Sequence, residues 1–221
     1  GARNMEQVYF WRESGEAMFD FATVGGKMIH GEFNQDMTRV HVATSTGKFT
    51  VFDLNGVKRS EVGSFCEKLN PATTALLSPS GRFVISGFAN GSLQGCDLLV
   101  GKGVNYISPS IARIVDMEFS PDEKFVAISY DQTVAYNEVT GAAVLGDASL
   151  ALYDPAAGLS RKRISIAGET LTSIAFSSDG TNIYAGSGNG SLIIYGTSDV
   201  KEILRQPFHD YDVADIDVMG D

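Results

Sequence analysis

Cysteine, histidine and long apolar runs are what this sequence has least of. Among 221 residues only Cys66 and Cys96 are cysteines. Two thiols far apart in the chain do not make the disulfide framework of a small secreted domain. A reduced intracellular compartment, cytoplasmic or nuclear, is therefore expected, with both cysteines as small buried side chains. Of the three histidines, His30 and His41 fall within one pair of neighbouring strands, and neither lies near a cysteine at metal-ligand spacing. No metal site is expected from them. No apolar stretch approaches the roughly 18 residues needed to cross a bilayer, and no charged-then-apolar leader opens the chain, so no membrane insertion is expected. Basic residues are few, 17 against 27 acidic ones, for a net charge of −10. Such a chain has no long-range attraction for phosphate backbones, which speaks against direct nucleic-acid binding. No P-loop, G-x-S-x-G elbow or H-E-x-x-H helix occurs, so neither a cofactor nor a catalytic residue is expected.

What the chain does have is a repeat. Three landmarks can be followed independently. The residue closing a first strand is Phe33, Leu77, Phe119, Phe176 and Val218, in steps of 44, 42, 57 and 42. The large residue late in a third strand is Trp11, Phe52, Cys96, Tyr153 and Tyr195, in steps of 41, 44, 57 and 42. A turn residue between second and third strands is Thr46, Asn90, Asp147 and Asn189, in steps of 44, 57 and 42. A period near forty residues indicates stacked supersecondary units. Within each unit, β-branched and aromatic residues alternate with small or polar ones, as in 172–196, TSIAFSSDGTNIYAGSGNGSLIIYG. That is the signature of half-buried strands. Asn90-Gly91 and Asn189-Gly190 supply the positive φ that two-residue hairpins require. Helical spacing is nearly absent, so the chain is expected to be all-β.

These residues resemble the WD40 family, over nearly the whole chain. The turn phrase of the family appears at Leu77-Ser78-Pro79-Ser80-Gly81, Phe119-Ser120-Pro121-Asp122-Glu123 and Phe176-Ser177-Ser178-Asp179-Gly180. Its terminal dipeptide survives in altered form as Trp11-Arg12, Phe52-Asp53, Cys96-Asp97, Tyr153-Asp154 and Tyr195-Gly196, and its Gly-His element as Phe208-His209. The resemblance implies a β-propeller. No unit carries the family's full hydrogen-bonding set of His, Ser, Asp and Trp, so apolar packing is expected to hold the blades.

One propeller is expected over 1–221, with four full four-stranded blades at 27–65, 71–108, 112–167 and 170–206. Residues 7–22 read as strands c and d of an incomplete blade, and 212–221 as strand a of another. Either the two ends share one blade that lacks a strand, or the chain is part of a larger propeller, the reading favoured here. The third blade is longer, and 131–146 reads as an inserted hairpin or extended loop at its b–c turn, ending near Gly141 and Gly146.

Several signals have a plain structural reading. Ala185 to Gly190 looks like a phosphate-cradling loop, but a strand rather than a helix follows it, so a turn is expected. Asn90-Gly91-Ser92 and Asn189-Gly190-Ser191 match a glycosylation acceptor and are read as turns. Asp210, Asp212, Asp215, Asp217 and Asp221 form an acidic end, solvated or facing a basic partner. Arg161-Lys162-Arg163 is placed on an outer strand, where charge discourages edge pairing.

By this resemblance the expected function is a non-catalytic scaffold for protein–protein interaction, a WD40 subunit of an intracellular multiprotein complex. A rigid sheet presents loops at little entropic cost. The family's usual contact face, formed by d–a and b–c loops, maps here to Asn70, Arg113, Glu169, His209, Asp210 and Tyr211, with Tyr130, Tyr136 and Glu138 of the insertion. Two alternatives remain: a structural part of a large assembly whose incomplete blades other chains complete, and a propeller hydrolase with an acidic channel mouth.

Overall fold

The computed structural model describes residues 7–11, 14–15, 17–22, 27–33, 39–44, 49–53, 59–60, 74–100, 102–106, 112–132, 134–136, 140, 143–208 and 210–218. Every regular element among them is a β-strand. In order they are β1 (Gln7–Trp11), β2 (Ala17–Ala22), β3 (Met28–Phe33), β4 (Arg39–Thr44), β5 (Phe49–Asp53), β6 (Arg59–Ser60), β7 (Thr74–Leu77), β8 (Phe83–Gly87), β9 (Leu93–Asp97) and β10 (Lys102–Tyr106). There follow β11 (Ile114–Phe119), β12 (Val126–Tyr130), β13 (Val134–Tyr136), β14 (Ala143–Leu145), β15 (Ala148–Asp154), β16 (Leu159–Ile166), β17 (Leu171–Phe176), β18 (Asn182–Ser187), β19 (Ser191–Gly196) and β20 (Lys201–Pro207).

Strands pair antiparallel in chain order into the four-stranded sheets β3-β4-β5-β6, β7-β8-β9-β10, β11-β12-β15-β16 (where the hairpin β13-β14 is skipped) and β17-β18-β19-β20. The pairs β1-β2 and β13-β14 are two-stranded. Consecutive sheets meet most closely through their first strands, β3 against β7, β7 against β11 and β11 against β17. First strands gathered side by side make the sheets radiate from a common axis.

Alternation explains how the sheets stack. In β19, Ser191, Ile193 and Tyr195 are buried while Leu192, Ile194 and Gly196 are half-exposed. The buried set meets Ala127, Leu150 and Leu152 of the preceding sheet, together with Leu171, Ile174, Phe176 and Ile183. A second layer lies one sheet earlier, where Leu76, Ile85 and Leu93 face Met117, Val126, Ile128, Tyr130 and Tyr153. Each inter-sheet layer is a separate apolar seam, so the core is distributed rather than central. The last strands turn to solvent. All seven residues of β20 are exposed, and its Lys201, Glu202 and Arg205 present charge along the edge.

In the last three four-stranded sheets the first turn is built by a serine. Buried Ser78, Ser120 and Ser177 accept through Oγ from the backbone N–H of Phe83, Phe125 and Asn182, at 3.0, 3.0 and 2.9 Å. The third turn position takes positive φ, 74° at Gly81 and 70° at Gly180, but Glu123 holds it at 57°. A non-glycine there costs free energy. The Glu123 carboxylate reaches the neighbouring sheet, accepting from the Ser80 hydroxyl at 2.7 Å and from the Ser80 N–H. The strain buys a tether between two sheets.

Candidate functional site

Three backbone hydrogen bonds bring the sheet-to-sheet connections and the second-to-third-strand turns onto one face. The N–H of Asp131 donates to Arg113 O at 2.8 Å, that of Gly188 to Thr170 O at 2.9 Å, and that of Phe208 to Gly190 O at 3.0 Å. Arg113 lies on this face, exposed, with its guanidinium 3.1 Å from the Asp131 carboxylate. Asp210 is exposed there too, and Tyr211 presents its ring with 78% exposure. The hairpin β13-β14 rises between β12 and β15, pairing Val134 with Leu145 and Tyr136 with Ala143.

Two expected contact residues behave differently. Tyr130 is fully buried. It is the last residue of β12 rather than part of the inserted loop, and pairing with Ser149 turns its side chain into the seam between sheets. Its hydroxyl lies 3.2 Å from that of Tyr153, and the Arg163 guanidinium sits 5.5 Å from its ring centroid. Tyr130 is a packing residue and leaves the candidate face. Glu169 is mostly covered, its side chain 9% exposed, and its Oε1 is held by Arg205 of β20. Arg205 also bonds Glu202 at 2.8 Å, and these two carboxylates, Glu202 foremost, raise its pKa. Asn70, Glu138 and His209 lie outside the described residues, and Tyr136 is described only through its backbone. The expected contact residues seen exposed are Arg113, Asp210 and Tyr211.

The opposite end of the first strands has a cavity of about 380 Å³, lined by Phe119, Pro121, Ile174, Phe176, Ile216 and Val218 among others. Deeper along the strands, Asp116 accepts the Ile174 N–H at 2.8 Å and the Met117 N–H at 2.8 Å. Burial, with Asp215 nearby, pushes its carboxyl above the ordinary value. No alternation in the sequence distinguishes Asp116 from a solvated acid, because its neighbour is supplied by the next sheet. Among the described residues no group of three or more His, Cys, Asp or Glu is placed to hold a metal.

Cys96 is 2% exposed, as expected of a small buried side chain, but it is disulfide-bonded rather than a thiol. The only other cysteine of the chain is Cys66, which lies outside the described residues. Scarcity of cysteine rules out a framework of bridges, not a single one.

Sheets radiating from an axis, each a four-stranded antiparallel meander, make the chain a β-propeller. Residues 162–196 match the family model for the WD domain, G-beta repeat. Among solved structures it is similar to the β-propeller domain of Myceliophteria thermophila Cps50 (Swd1). That likeness has 17% identity and a TM-score of 0.63, and covers 86% of this chain and 58% of that one. The chain thus spans little more than half of that propeller domain. No curated protein matches it.

Proposed function

We propose that the protein is a non-catalytic scaffold, a WD40 subunit of an intracellular multiprotein complex, that binds other proteins through the face carrying Arg113, Asp210, Tyr211 and the β13-β14 hairpin. The observation that carries this reading is the way backbone hydrogen bonds within the third and fourth four-stranded sheets clasp their connections to their second-to-third-strand turns on that face. A pre-ordered surface loses little conformational entropy on binding, and an exposed tyrosine and an exposed arginine on one face supply the anchor types that dominate interface energies. Asp210 and Asp212 beside Tyr211 favour a partner segment with basic residues.

Affinity capture tests the reading. Wild-type chain is compared with a triple variant, Arg113→Ala, Asp210→Ala and Tyr211→Ala, and with a chain lacking 131–146. Loss of the wild-type partners from either supports it. An unchanged set of partners, at unchanged yield from both, sinks it. The cytoplasmic or nuclear location belongs to the same proposal. Thiol trapping in lysates reports whether the Cys96 bridge persists in a reducing compartment.

A further inference from the structure

Cations are scarce on this chain, 17 against 27 acids, yet three stand in a row at Arg161, Lys162 and Arg163 on β16. With eight residues β16 is the longest strand described. One side of it pairs with β15, from Ala148–Ile166 to Asp154–Leu159, and among the described residues no strand pairs with the other. The third sheet is packed on both faces, by the second sheet and by the fourth, so this open edge belongs to a fully flanked blade in the interior of the sequence. An open edge presents a row of backbone N–H and C=O groups. Positive charge along it turns away neutral and basic strands, and by the same force selects acidic ones.

The other outer strands differ. β10 carries one cation, Lys102, and β20 carries Lys201 and Arg205 with the carboxylate of Glu202. Arg205 is occupied by Glu202 and Glu169, and the strand closes on Pro207, which has no N–H to offer. β16 carries no carboxylate at all. Arg161 bonds Asp154, but among the described residues Lys162 and Arg163 have no ion-pair partner. The Arg163 guanidinium instead sits over the Tyr130 ring, 5.5 Å from its centroid, within the range of cation–π attraction. Lys162 pairs with Leu152 and Arg163 with Ala151, so the two project from opposite faces of the strand. Ser160 and Ser165, both exposed, add hydroxyls. Every exposed polar side chain of β16 can donate a hydrogen bond, and none is an acid.

We propose that the outer edge of β16 docks an acidic, extended segment of a partner protein, which adds to the third sheet as an antiparallel strand. Every pair in this sheet is antiparallel, which sets the direction. Read from its N-terminus, the segment carries a β-branched residue opposite Ile164, then consecutive acids opposite Arg163 and Lys162. In strand addition of this kind main-chain hydrogen bonds supply affinity and side chains supply specificity. Nucleic acid is a poorer occupant, because at net charge −10 the rest of the chain repels a long run of phosphates. A few carboxylates fall inside the patch, within the roughly 8 Å over which exposed charges act at physiological salt. The chain's own acidic stretch is engaged elsewhere, with Val213 N–H on Ser187 O at 3.1 Å and Ile216 N–H on Ser173 Oγ at 3.2 Å. This inference uses a different surface from the scaffold face and stands or falls separately.

The probe is a fluorescein-labelled peptide, Thr-Thr-Val-Glu-Glu-Glu-Thr, titrated into the full chain and followed by anisotropy and hydrogen exchange. Saturable binding is expected, with amide protection gained over 159–166. Charge reversal by Lys162→Glu should weaken it by roughly tenfold or more, and Ser165→Glu should weaken it too. Both residues are exposed, so circular dichroism of the two variants should match the parent. Arg113→Ala, on the scaffold face, should leave the binding unchanged. A peptide with proline in place of valine keeps the charge but disfavours strand pairing, and should bind more weakly. Absence of saturation, equal binding of the proline peptide, loss of binding in Arg113→Ala, or protection gained only elsewhere would overturn the proposal. So would equal or tighter binding of a labelled single-stranded oligonucleotide, which would mark the patch as a site for polyanions at large.

Discussion

Gly186→Ala should release the segment 213–218 while leaving the rest of the molecule folded, whereas Gly87→Ala should cost global stability and release nothing. Both added methyl groups meet a neighbour at 2.6 Å, closer than carbon atoms approach. At Gly87 the neighbour is Ile114 Cδ1, the far end of a side chain in a strand that β12 holds in place. The chain must accommodate the methyl by overpacking, at about 1–3 kcal/mol. That corresponds to a fall in Tm of roughly 2–4 °C per kcal/mol for a protein of this size. At Gly186 the neighbours are Val213 Cγ1 and Cβ, which a β-branched side chain cannot swing away. The segment carrying Val213 is held by partial burial and a few hydrogen bonds, each worth about 0.5–1.5 kcal/mol net. A clash of about 1–3 kcal/mol is comparable with that whole sum, so the segment lifts off. Hydrogen exchange at Val213, bonded to Ser187 O, is the assay. Each 1.4 kcal/mol lost lowers its protection about tenfold. If Gly186→Ala leaves that amide as protected as in the parent, or if Gly87→Ala leaves Tm unchanged, the assignment of the two glycines as equivalent close-approach points is wrong.

Three other expectations follow from the same geometry. Ile128→Ala empties a fully buried site in the seam between the second and third complete sheets and should cost about 2–5 kcal/mol in urea unfolding. Tyr130→Phe and Tyr153→Phe should each cost about 1 kcal/mol, and the double variant less than their sum, since the two hydroxyls lie 3.2 Å apart; strict additivity would show that they do not interact. Hydrogen bonds from Ser177 Oγ, and then from the backbone and hydroxyl of Thr181, hold the Asp179 carboxyl at about 2, below its ordinary 3.8. A depressed folded pKa means stability present above the unfolded value and lost as pH falls through the folded one. The Tm gap between parent and Asp179→Ala should therefore persist from neutral pH to about 4 and close on acidification towards 2; a gap independent of pH would contradict it.

Much of this architecture was legible because it is local. Phe33, Leu77, Phe119 and Phe176 each close a first strand, and Phe52, Cys96, Tyr153 and Tyr195 each lie late in a third, so the period read from spacing is the period of the sheets. Hairpin signals depend on residues within two or three positions of one another, and Asn-Gly turns do not need the rest of the fold. Side-chain direction at the end of a strand is a different matter. Tyr130 stands one residue before the insertion at 131–146, and one residue of register decides between surface and seam. Glu169 lies on the connection between β16 and β17, but its partner Arg205 arrives from a strand 36 positions further on. The bridge at Cys96 carries no local signature at all. Nothing local marks Asp116 either, because only the stacking of consecutive sheets brings it to the Ile174 N–H.

The hairpin β13-β14 leaves the ladder on either side of it intact: Tyr130 still pairs with Ser149, and Val126 with Tyr153. Extra chain is thus confined to a point where two strand ends are already clasped, and lengthening a loop costs only about 0.6 kcal/mol per doubling. Foreign peptides or reporter epitopes spliced between 131 and 146 should ride on the domain without unsettling it, which makes this junction a natural port for both evolutionary variation and protein engineering.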